Sequence, residues 1–457
     1  LLVPGRAGAV EGRRVEGRVG QVKHSPRRLV ACVPAVVLLA TSPILGTASF
    51  ATSSVVTGAS AVAGGSLLPR LPMPNPQPAS TQDPAPAPQE AAAPAAPAPS
   101  PTPSTSSEQA ETADPQIQTG PPPVNTDVAD CQRGEEKLLT TSPPVFKQIG
   151  VEQAWGVTEG QGVVVAVVDS GVDANNPHLQ RAMTPGIDLL GRGDGQRDDS
   201  GHGTAVAGMI AARQVEGSGV VGIAKSATIM PVRVYQGDSD DQVKKGVGPT
   251  PARTAEGIQW AADNGAKVIV VGHMLTQDEP EVQAAVNHAT EVGALVVAGA
   301  GTVESTKRPS GVATASTPPP ATDANGAEIR YPAAYSNVLG VTSLNASGGV
   351  SKDMLHGSHV DIAVPAQAVP TAFFREGDCL VSQNRPSPSL AAGYAAGVAA
   401  LVVAVHPTET PADWKYRLTA TAIRPEPAKS SPATGWGLIA PYAALNFVND
   451  GTAVGPE

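Results

Sequence analysis

Three polar residues far apart in the chain, Asp169, His202 and Ser389, have types and surroundings suited to covalent catalysis. Asp169 ends an apolar run, His202 lies between two glycines at the start of an apolar stretch, and Ser389 opens another such stretch. An imidazole can take the proton of a serine hydroxyl, and a carboxylate can orient the imidazole and balance its charge. The residue types and their order along the chain therefore predict nucleophilic acyl transfer at Ser389.

Each of these residues also has an ordinary structural explanation when it is taken alone. Asp169 can cap a turn after a strand, His202 can be a structural histidine, and a serine at a helix start is usually an N-cap. The prediction therefore depends on the three segments together, because only their combination matches a triad order of Asp, His and Ser.

From about residue 145 onward, short apolar segments alternate with segments of helical pattern. Predicted strands cover Gly162–Val168, Thr228–Val234, Lys267–Val271 and Ala294–Ala298. Short, fully apolar strands separated by helices are typical of a parallel sheet that is buried on both faces. Leu390–Val405 is apolar nearly all round and predicts a central buried helix. We therefore expect an α/β fold of three layers, with a mostly parallel buried sheet flanked by helices.

The first 128 residues differ in composition from the rest of the chain. Residues 1–51 contain a basic stretch, an apolar run and then small residues, which is the order of a secretory signal peptide. An uncleaved N-terminal anchor is the alternative, and both predict export. Residues 52–128 are rich in Pro, Ala and Ser, and the 17 prolines in 69–123 predict a disordered linker. Docking of a partner through this proline-rich segment is the alternative to a plain linker.

Net charge and cysteine content restrict the partners and the compartment. The formal net charge of -10 argues against nucleic acid, because phosphate contacts need clustered Lys and Arg. Of the three cysteines, Cys32 lies in the signal segment, which leaves Cys131 and Cys379. Outside the cytoplasm two such thiols favour a disulfide, so we predict a bridge between Cys131 and Cys379.

The segments DSGVD (169–173), GHGTAVAG (201–208) and SLAAGYAAGVAALV (389–402) resemble the three blocks of the subtilisin-like (S8) serine protease family. The segment GWGLIAPYAAL (435–445), the proline-rich N-terminal region and the exported context resemble mycosins, the subtilases associated with type VII secretion. The resemblance implies a subtilisin-like fold with Asp169, His202 and Ser389 as its triad. It divides the rest of the chain into a peptidase domain at 129–447 and a polar tail at 448–457.

The chain departs from this family's pattern at three places. Ser387 and Pro388 stand where members usually have Gly and Thr before the nucleophile, and Pro388 favours an extended Ser387. Thr302 stands where the family has the Asn whose side chain donates to the oxyanion. A third departure affects the strand expected to pair with an extended peptide. It consists of Val270, Val271 and Gly272 and is followed by His273, which we interpret as an edge-of-core histidine.

Two function hypotheses follow from these observations. The first is an exported serine endopeptidase that cleaves protein or peptide substrates and is linked, by resemblance, to a type VII secretion membrane complex. The second is a catalytically weak or inactive pseudoprotease that serves as a structural or peptide-binding component of such a complex. No cofactor and no metal ligand set is expected. For the run Asp238–Asp241, a structural calcium site is the alternative to a solvated acidic loop.

Overall fold

The computed structural model describes residues 131, 137–191, 193–303, 320–451, 453 and 455. All of them belong to one compact unit, residues 110–457. The predicted signal or anchor segment (1–51) and the linker (52–128) lie outside the described residues.

The strands are β1 (Val164–Asp169), β2 (Ile187–Asp188), β3 (Thr228–Arg233), β4 (Val268–Val271), β5 (Leu295–Gly299), β6 (Val338–Leu344), β7 (Ile362–Pro365), β8 (Val369–Phe373) and β9 (Gly377–Val381). The helices are α1 (Val145–Ile149), α2 (Val151–Trp155), α3 (His202–Ala211), α4 (Asp240–Lys244), α5 (Pro251–Asp263), α6 (Pro280–Glu291), α7 (Pro388–Val405), α8 (Pro411–Ala420) and α9 (Pro441–Asn446).

Seven strands form one parallel sheet in the order β2-β3-β1-β4-β5-β6-β7, and β8 and β9 form an antiparallel hairpin. The continuous apolar strands are explained by burial of both sheet faces. In β1, Val165 and Val167 pack into the core beneath α3 and α7, whereas Ala166 and Val168 pack into the core beneath α5 and α6. Successive side chains point to opposite faces of a strand, so a strand between two cores must be apolar throughout. The predicted three-layer α/β fold is confirmed.

Helix α7 runs through the centre of the larger core. It is the one described helix that is long and apolar enough to cross a membrane, and 89% of its span is buried within the domain. It packs against α3 and against strands β4, β5 and β6. Its apolar character therefore serves the core of the domain, as predicted for Leu390–Val405.

A disulfide joins Cys131 to Cys379 in β9, with the two Cα atoms 6.0 Å apart. Lys137 and Leu139 also contact the hairpin. The amide of Asp378 donates to the carbonyl of Lys137 (2.8 Å), and the amide of Leu139 donates to the Asp378 carboxylate (2.8 Å). The segment before α1 is therefore fastened to the hairpin by both covalent and polar contacts.

Replacing Cys379 by serine is expected to lower the free energy of unfolding by about 3 kcal/mol, because the bridge closes a long loop in the unfolded chain. Urea unfolding measures this loss, and the parent protein treated with a reductant should show the same loss. Two alkylatable thiols at Cys131 and Cys379 in the folded, unreduced protein would contradict the assignment.

Candidate active site

Asp169 is the last residue of β1 and is fully buried at the carboxyl end of the sheet. Its Oδ1 accepts hydrogen bonds from the amide of Ser170 (2.7 Å) and the hydroxyl of Tyr235 (2.7 Å). His202 Nδ1 lies 3.0 Å from Oδ1 and 2.9 Å from Oδ2. A strand end in a parallel sheet thus presents the carboxylate to the helix that follows.

His202 is the first residue of α3, and glycines on both sides of it allow close packing. Gly201 has φ 84°, in the left-handed region, and a Cβ there would lie 2.5 Å from the Phe373 ring. A Cβ on Gly203 would lie 2.0 Å from the carbonyl oxygen of Gly171. These two contacts explain the Gly-His-Gly sequence, because any larger residue would move the imidazole away from β1.

Ser389 is the second residue of α7, after Pro388. Ser387 is the N-cap residue, with φ -120° and ψ 123°, and its hydroxyl accepts from the amide of Leu390. This is the extended conformation expected for a residue that precedes proline. Proline at the first helical position loses no hydrogen bond, so the Ser387-Pro388 pair starts the helix without strain. Ser389 is thereby held at the N-terminus of the buried helix.

The three predicted triad residues come together in the structure. His202 Nε2 lies 2.9 Å from Ser389 Oγ, while Nδ1 of the same ring faces the Asp169 carboxylate. An ionised carboxylate only accepts hydrogen bonds, so Nδ1 carries the proton and Nε2 of the neutral ring accepts from Ser389. This tautomer is the one required for a general base acting on a serine hydroxyl.

A second hydroxyl also contacts the nucleophile position. Ser387 Oγ lies 3.0 Å from Ser389 Oγ. Because the Ser389 proton is directed at His202, Ser387 donates to Ser389 Oγ while accepting from the amide of Leu390. A glycine at position 387, as in the family pattern, would lack this contact.

The electrostatics of the site favour an ionised Asp169. Burial by itself would raise the pKa of Asp169, but the attraction of His202 and the hydrogen bonds from His202, Tyr235 and Ser170 outweigh it and lower the pKa. Asp169, His202 and Ser389 are 0%, 4% and 1% exposed. Because the site is buried, the charge of the Asp169 carboxylate interacts strongly with the adjacent imidazole of His202.

The end of β5 contacts the start of α7 beside Ser389. A Cβ on Gly299 would lie 2.8 Å from the Pro388 carbonyl carbon and 3.0 Å from the Ser389 amide nitrogen. The strand therefore abuts the helix N-terminus, where the helix dipole favours negative charge. Thr302 lies three residues after Gly299 and forms an isolated antiparallel β-bridge with Met354.

The predicted substrate strand is wrong for two of its three residues. Val270 and Val271 lie in β4, inside the sheet, where each is paired with β1 on one side and β5 on the other. Their backbone groups are used within the sheet and cannot pair with a peptide. The amide of Gly272 also donates into the sheet, to Val168 (3.1 Å), so this amide cannot pair with a peptide. Sequence alone did not indicate that β4 is central.

Three further polar residues that sequence reasoning missed support the triad. The buried Asp198 carboxylate accepts from the amide of Gly201 (2.8 Å) and from both the amide and the hydroxyl of Thr204 (2.9 and 2.7 Å). Ser170 donates to Asp198 (2.9 Å) and accepts from the amide of Gly203 (3.1 Å). Burial raises the pKa of Asp198 despite these donors. Together Asp198 and Ser170 connect the strand that carries Asp169 to the helix that carries His202. Tyr235, the third, donates directly to Asp169.

His273, which we interpret as an edge-of-core histidine, is buried next to Tyr235. Its Nε2 lies 2.7 Å from the Thr254 hydroxyl, and its ring packs edge-on against Tyr235 with centroids 5.3 Å apart. Burial lowers the pKa of His273 from 6.5 to about 4. His273 therefore stays neutral in the folded protein at neutral pH.

The depressed pKa of His273 predicts a loss of stability on acidification. Below pH 6.5, His273 is protonated in the unfolded chain but stays neutral in the folded protein. The free energy of unfolding therefore falls as the pH falls. Between pH 6.5 and 5 the loss due to this residue is about 2 kcal/mol. Urea unfolding of Ser389→Ala at both pH values measures it, and the same protein carrying His273→Leu should lose that much less. Equal losses in the two proteins would contradict the prediction.

Among the described residues, no group of three or more His, Cys, Asp or Glu side chains is arranged to hold a metal ion. The acidic run at 238–241 begins α4 instead. Ser239 caps this short helix in a capping box with Gln242, and Asp241 pairs with Lys245 at 2.9 Å. These contacts are those of a solvent-exposed helix start.

Comparisons with known proteins agree with this architecture. Residues 160–437 match the model of the subtilase family, peptidase S8. Mycosin-1 of Mycobacterium tuberculosis is 30% identical over 382 residues, which cover 75% of this chain and 84% of that protein. The solved structure of MycP3 protease from the type VII (ESX-3) secretion system has a TM-score of 0.57 and 28% identity. That match covers 69% of this chain and 90% of the MycP3 chain.

A chain in the structure of an intact ESX-5 inner membrane complex has a TM-score of 0.58 and 28% identity, with 69% of this chain and 81% of that chain covered. The family model spans the segments that carry Asp169, His202 and Ser389. The chain therefore belongs to the subtilase family of serine proteases and, within it, to the mycosin type.

Proposed function

We propose that this protein is a serine endopeptidase that hydrolyses peptide bonds in polypeptides through an acyl-enzyme on Ser389. The observation that carries the proposal is the continuous path from Ser389 Oγ to His202 Nε2 (2.9 Å) and from Nδ1 to Asp169 Oδ2 (2.9 Å). A serine is a weak nucleophile until a base takes its proton, and this path supplies the base together with its orienting carboxylate.

The reaction divides into two acyl-transfer steps. Ser389 Oγ attacks the peptide carbonyl carbon while His202 Nε2 takes the hydroxyl proton, and Asp169 balances the imidazolium. The carbonyl oxygen, now an oxyanion, faces the amide of Ser389 and the hydroxyl of Thr302. His202 gives its proton to the leaving amine, which releases the first product. A water molecule, deprotonated by the same imidazole, then cleaves the ester and restores Ser389.

Turnover of an unfolded protein tests this proposal. The full chain is incubated with denatured, alkylated casein, and the new termini are mapped by mass spectrometry. Internal cleavages by the parent that are absent with Ser389→Ala are the expected result. Cleavage that is equal in the parent and the variant, or no cleavage by correctly folded parent, would contradict the proposal.

We further propose that the protein acts at the cell envelope, in association with a type VII secretion complex. The similar structures come from a type VII (ESX-3) secretion system and from an ESX-5 inner membrane complex, which supports this partner. The predicted signal or anchor segment at 1–51 supports the same location. Fractionation of the producing cells should recover the protein with the envelope, co-migrating with the complex. Recovery from the cytosol alone would contradict this.

An inactive or weakly active peptide-binding component is the second candidate. Thr302 at the position of the family's oxyanion Asn favours it, because a threonine hydroxyl is shorter and differently aimed than an amide. The hydrogen bond between the Ser387 hydroxyl and Ser389 Oγ also favours this candidate. The two candidates differ in whether Ser389 reacts efficiently with a substrate.

A further inference from the structure

The carboxylate of Asp169 receives a hydrogen bond from outside the Asp-His-Ser path. Tyr235 follows β3, the strand next to β1, and its hydroxyl donates to Asp169 Oδ1 at 2.7 Å. The amide of Val234 donates to the carbonyl of Asp169 (2.9 Å), so the strand pairing itself brings the phenol to the carboxylate. Tyr235 is 3% exposed, and burial together with the nearby Asp169 raises its pKa well above the usual value. The phenol therefore keeps its proton and acts as a donor.

On the opposite side of Asp169 the carboxylate lies against a residue that has no side chain. A Cβ on Gly272 would lie 1.6 Å from Asp169 Oδ2 and 2.7 Å from Asp169 Cγ. Gly272 follows β4, the other neighbour of β1, and its amide donates to the carbonyl of Val168 (3.1 Å). Because this hydrogen bond holds the glycine backbone in place, the carboxylate occupies the space that any side chain at 272 would need.

His273 and Thr254 lie next to Tyr235 and add no positive charge beside Asp169. The Thr254 hydroxyl donates to the carbonyl of Thr250 (2.8 Å), so it accepts from His273 Nε2 at 2.7 Å. Burial lowers the pKa of His273 to about 4, so the ring is neutral near pH 7, and it packs against the edge of Tyr235. A neutral neighbour leaves His202 as the cationic partner of Asp169 during the reaction.

We propose that Tyr235 and Gly272 form a positioning pair that fixes the Asp169 carboxylate, with Tyr235 holding Oδ1 and Gly272 providing the space for Oδ2 beside His202. Tyr235 donates to Asp169, and the nearest contact of a Cβ on Gly272 would be Asp169 Oδ2, followed by His202 Cε1 at 3.3 Å, so both residues act mainly through the Asp169 carboxylate. The inference rests on the proposed function for its kinetic consequences, whereas its effect on the His202 ring is measurable without turnover.

The direction of the pH effect follows from the charged and titratable groups that face Asp169. These are His202 on α3, Tyr235 after β3, His273 after β4 and Asp198 in the loop before α3. Of these, Tyr235 donates a hydrogen bond that lowers the pKa of Asp169. Without that bond the carboxylate charge is less dispersed and stabilises a protonated His202 more strongly. The acidic limb of the kcat/KM profile then moves to higher pH.

Replacing Tyr235 by phenylalanine tests the hydroxyl alone. We expect kcat to fall about 10-fold with KM unchanged, because a hydrogen bond to a charged group is lost and the substrate contacts are kept. The acidic limb should move to higher pH. Tyr416→Phe is the matched control, since the Tyr416 hydroxyl donates to Ala453, and it should leave both quantities unchanged. Unchanged kcat and pH profile in Tyr235→Phe would overturn the proposal.

Coupling between the two residues tests the pair. Gly272→Ala should lower kcat about 10²-fold or more, because the methyl group displaces the carboxylate from His202. In the Tyr235→Phe background the same change should cost less, since the released carboxylate can move toward the vacated hydroxyl. Gly191→Ala is the control, because a Cβ there meets only Asp188 Oδ2, at 3.8 Å. Fully additive losses would show that the residues act separately and would refute the pair.

A readout that needs no turnover separates this inference from the proposed function. In Ser389→Ala, the His202 ring is titrated by NMR with and without Tyr235→Phe. A titration midpoint that rises in the double variant supports the positioning role even if no substrate is cleaved, and an unchanged midpoint refutes it. Should Tyr235→Phe fold poorly, 3-fluorotyrosine at 235, a nearly isosteric and stronger donor, should lower the midpoint. An unchanged midpoint would again refute it.

Discussion

Replacing His202 by alanine is expected to lower kcat by about 10⁵- to 10⁶-fold, and Ser389→Ala should cause a loss of the same size. The reason is the single path from Ser389 Oγ through the imidazole to Asp169, in which each step depends on the ring. Without the imidazole the hydroxyl keeps its proton, and without the hydroxyl the imidazole has no nucleophile to activate.

The double variant should lose no more activity than either single variant, because the two residues act as one unit. Steady-state turnover of one peptide substrate by the three variants measures this. His288→Ala is a matched control, since His288 forms a His-Asp pair with Asp263 at 2.6 Å on the surface. A multiplicative loss in the double variant would show that the two residues do not share one mechanism.

Replacing Thr302 by asparagine is expected to raise kcat by about 10²-fold, with a smaller change in KM. An amide donor placed at an oxyanion is worth about 10²–10³ in rate, and this magnitude comes from removing such an Asn in a subtilisin. The end of β5 already abuts the start of α7 at Gly299 and Ser389, so the amide would be added to a site whose backbone is in place.

The control is Thr302→Val, which keeps the shape and removes the hydroxyl, and its kcat should be lower than that of the parent. Adding Ser387→Gly and Pro388→Thr to Thr302→Asn restores the family pattern around the nucleophile. Activity that appears only in this triple variant would support the pseudoprotease. If Thr302→Asn leaves kcat unchanged, position 302 does not face the oxyanion, and that part of the proposed mechanism is wrong.

The fold was predictable because its signals are local and strong. The apolar run that ends at Asp169 belongs to a strand buried on both faces, and the helix at 388–405 is apolar on all sides because the core surrounds it. Such segments have few other ways to bury their surface. Asp169, His202 and Ser389 were identifiable for a similar reason, since each lies at the end or the start of one of these elements.

What sequence reasoning missed depends on strand order. Val270 and Val271 were predicted to pair with substrate, but β4 lies between β1 and β5. The same order places β3 beside β1 and carries Tyr235 to Asp169. No local pattern distinguishes a central strand from its neighbours when the strands are all apolar. The contacts of Tyr235 and Gly272 with Asp169 could therefore be found only from the three-dimensional structure.

Ser387 and Gly272 stand at two of the places where the chain departs from the family pattern. Sequence reasoning treated both as losses from a family pattern. In the structure Ser387 caps α7 ahead of Pro388, and Gly272 makes room for a carboxylate that Tyr235 also holds. With these residues in place, Ser389 Oγ lies 2.9 Å from His202 Nε2.

Covalent labelling of Ser389 by a fluorophosphonate tests the central claim most directly, because this reagent reacts much faster with a serine that a neighbouring base activates than with an ordinary serine. The account predicts that the folded parent protein takes up one phosphonyl group, that peptide mapping places it on Ser389, and that Ser389→Ala and His202→Ala take up none. Folded parent protein that remains unlabelled, or carries the label on another residue, would contradict the account.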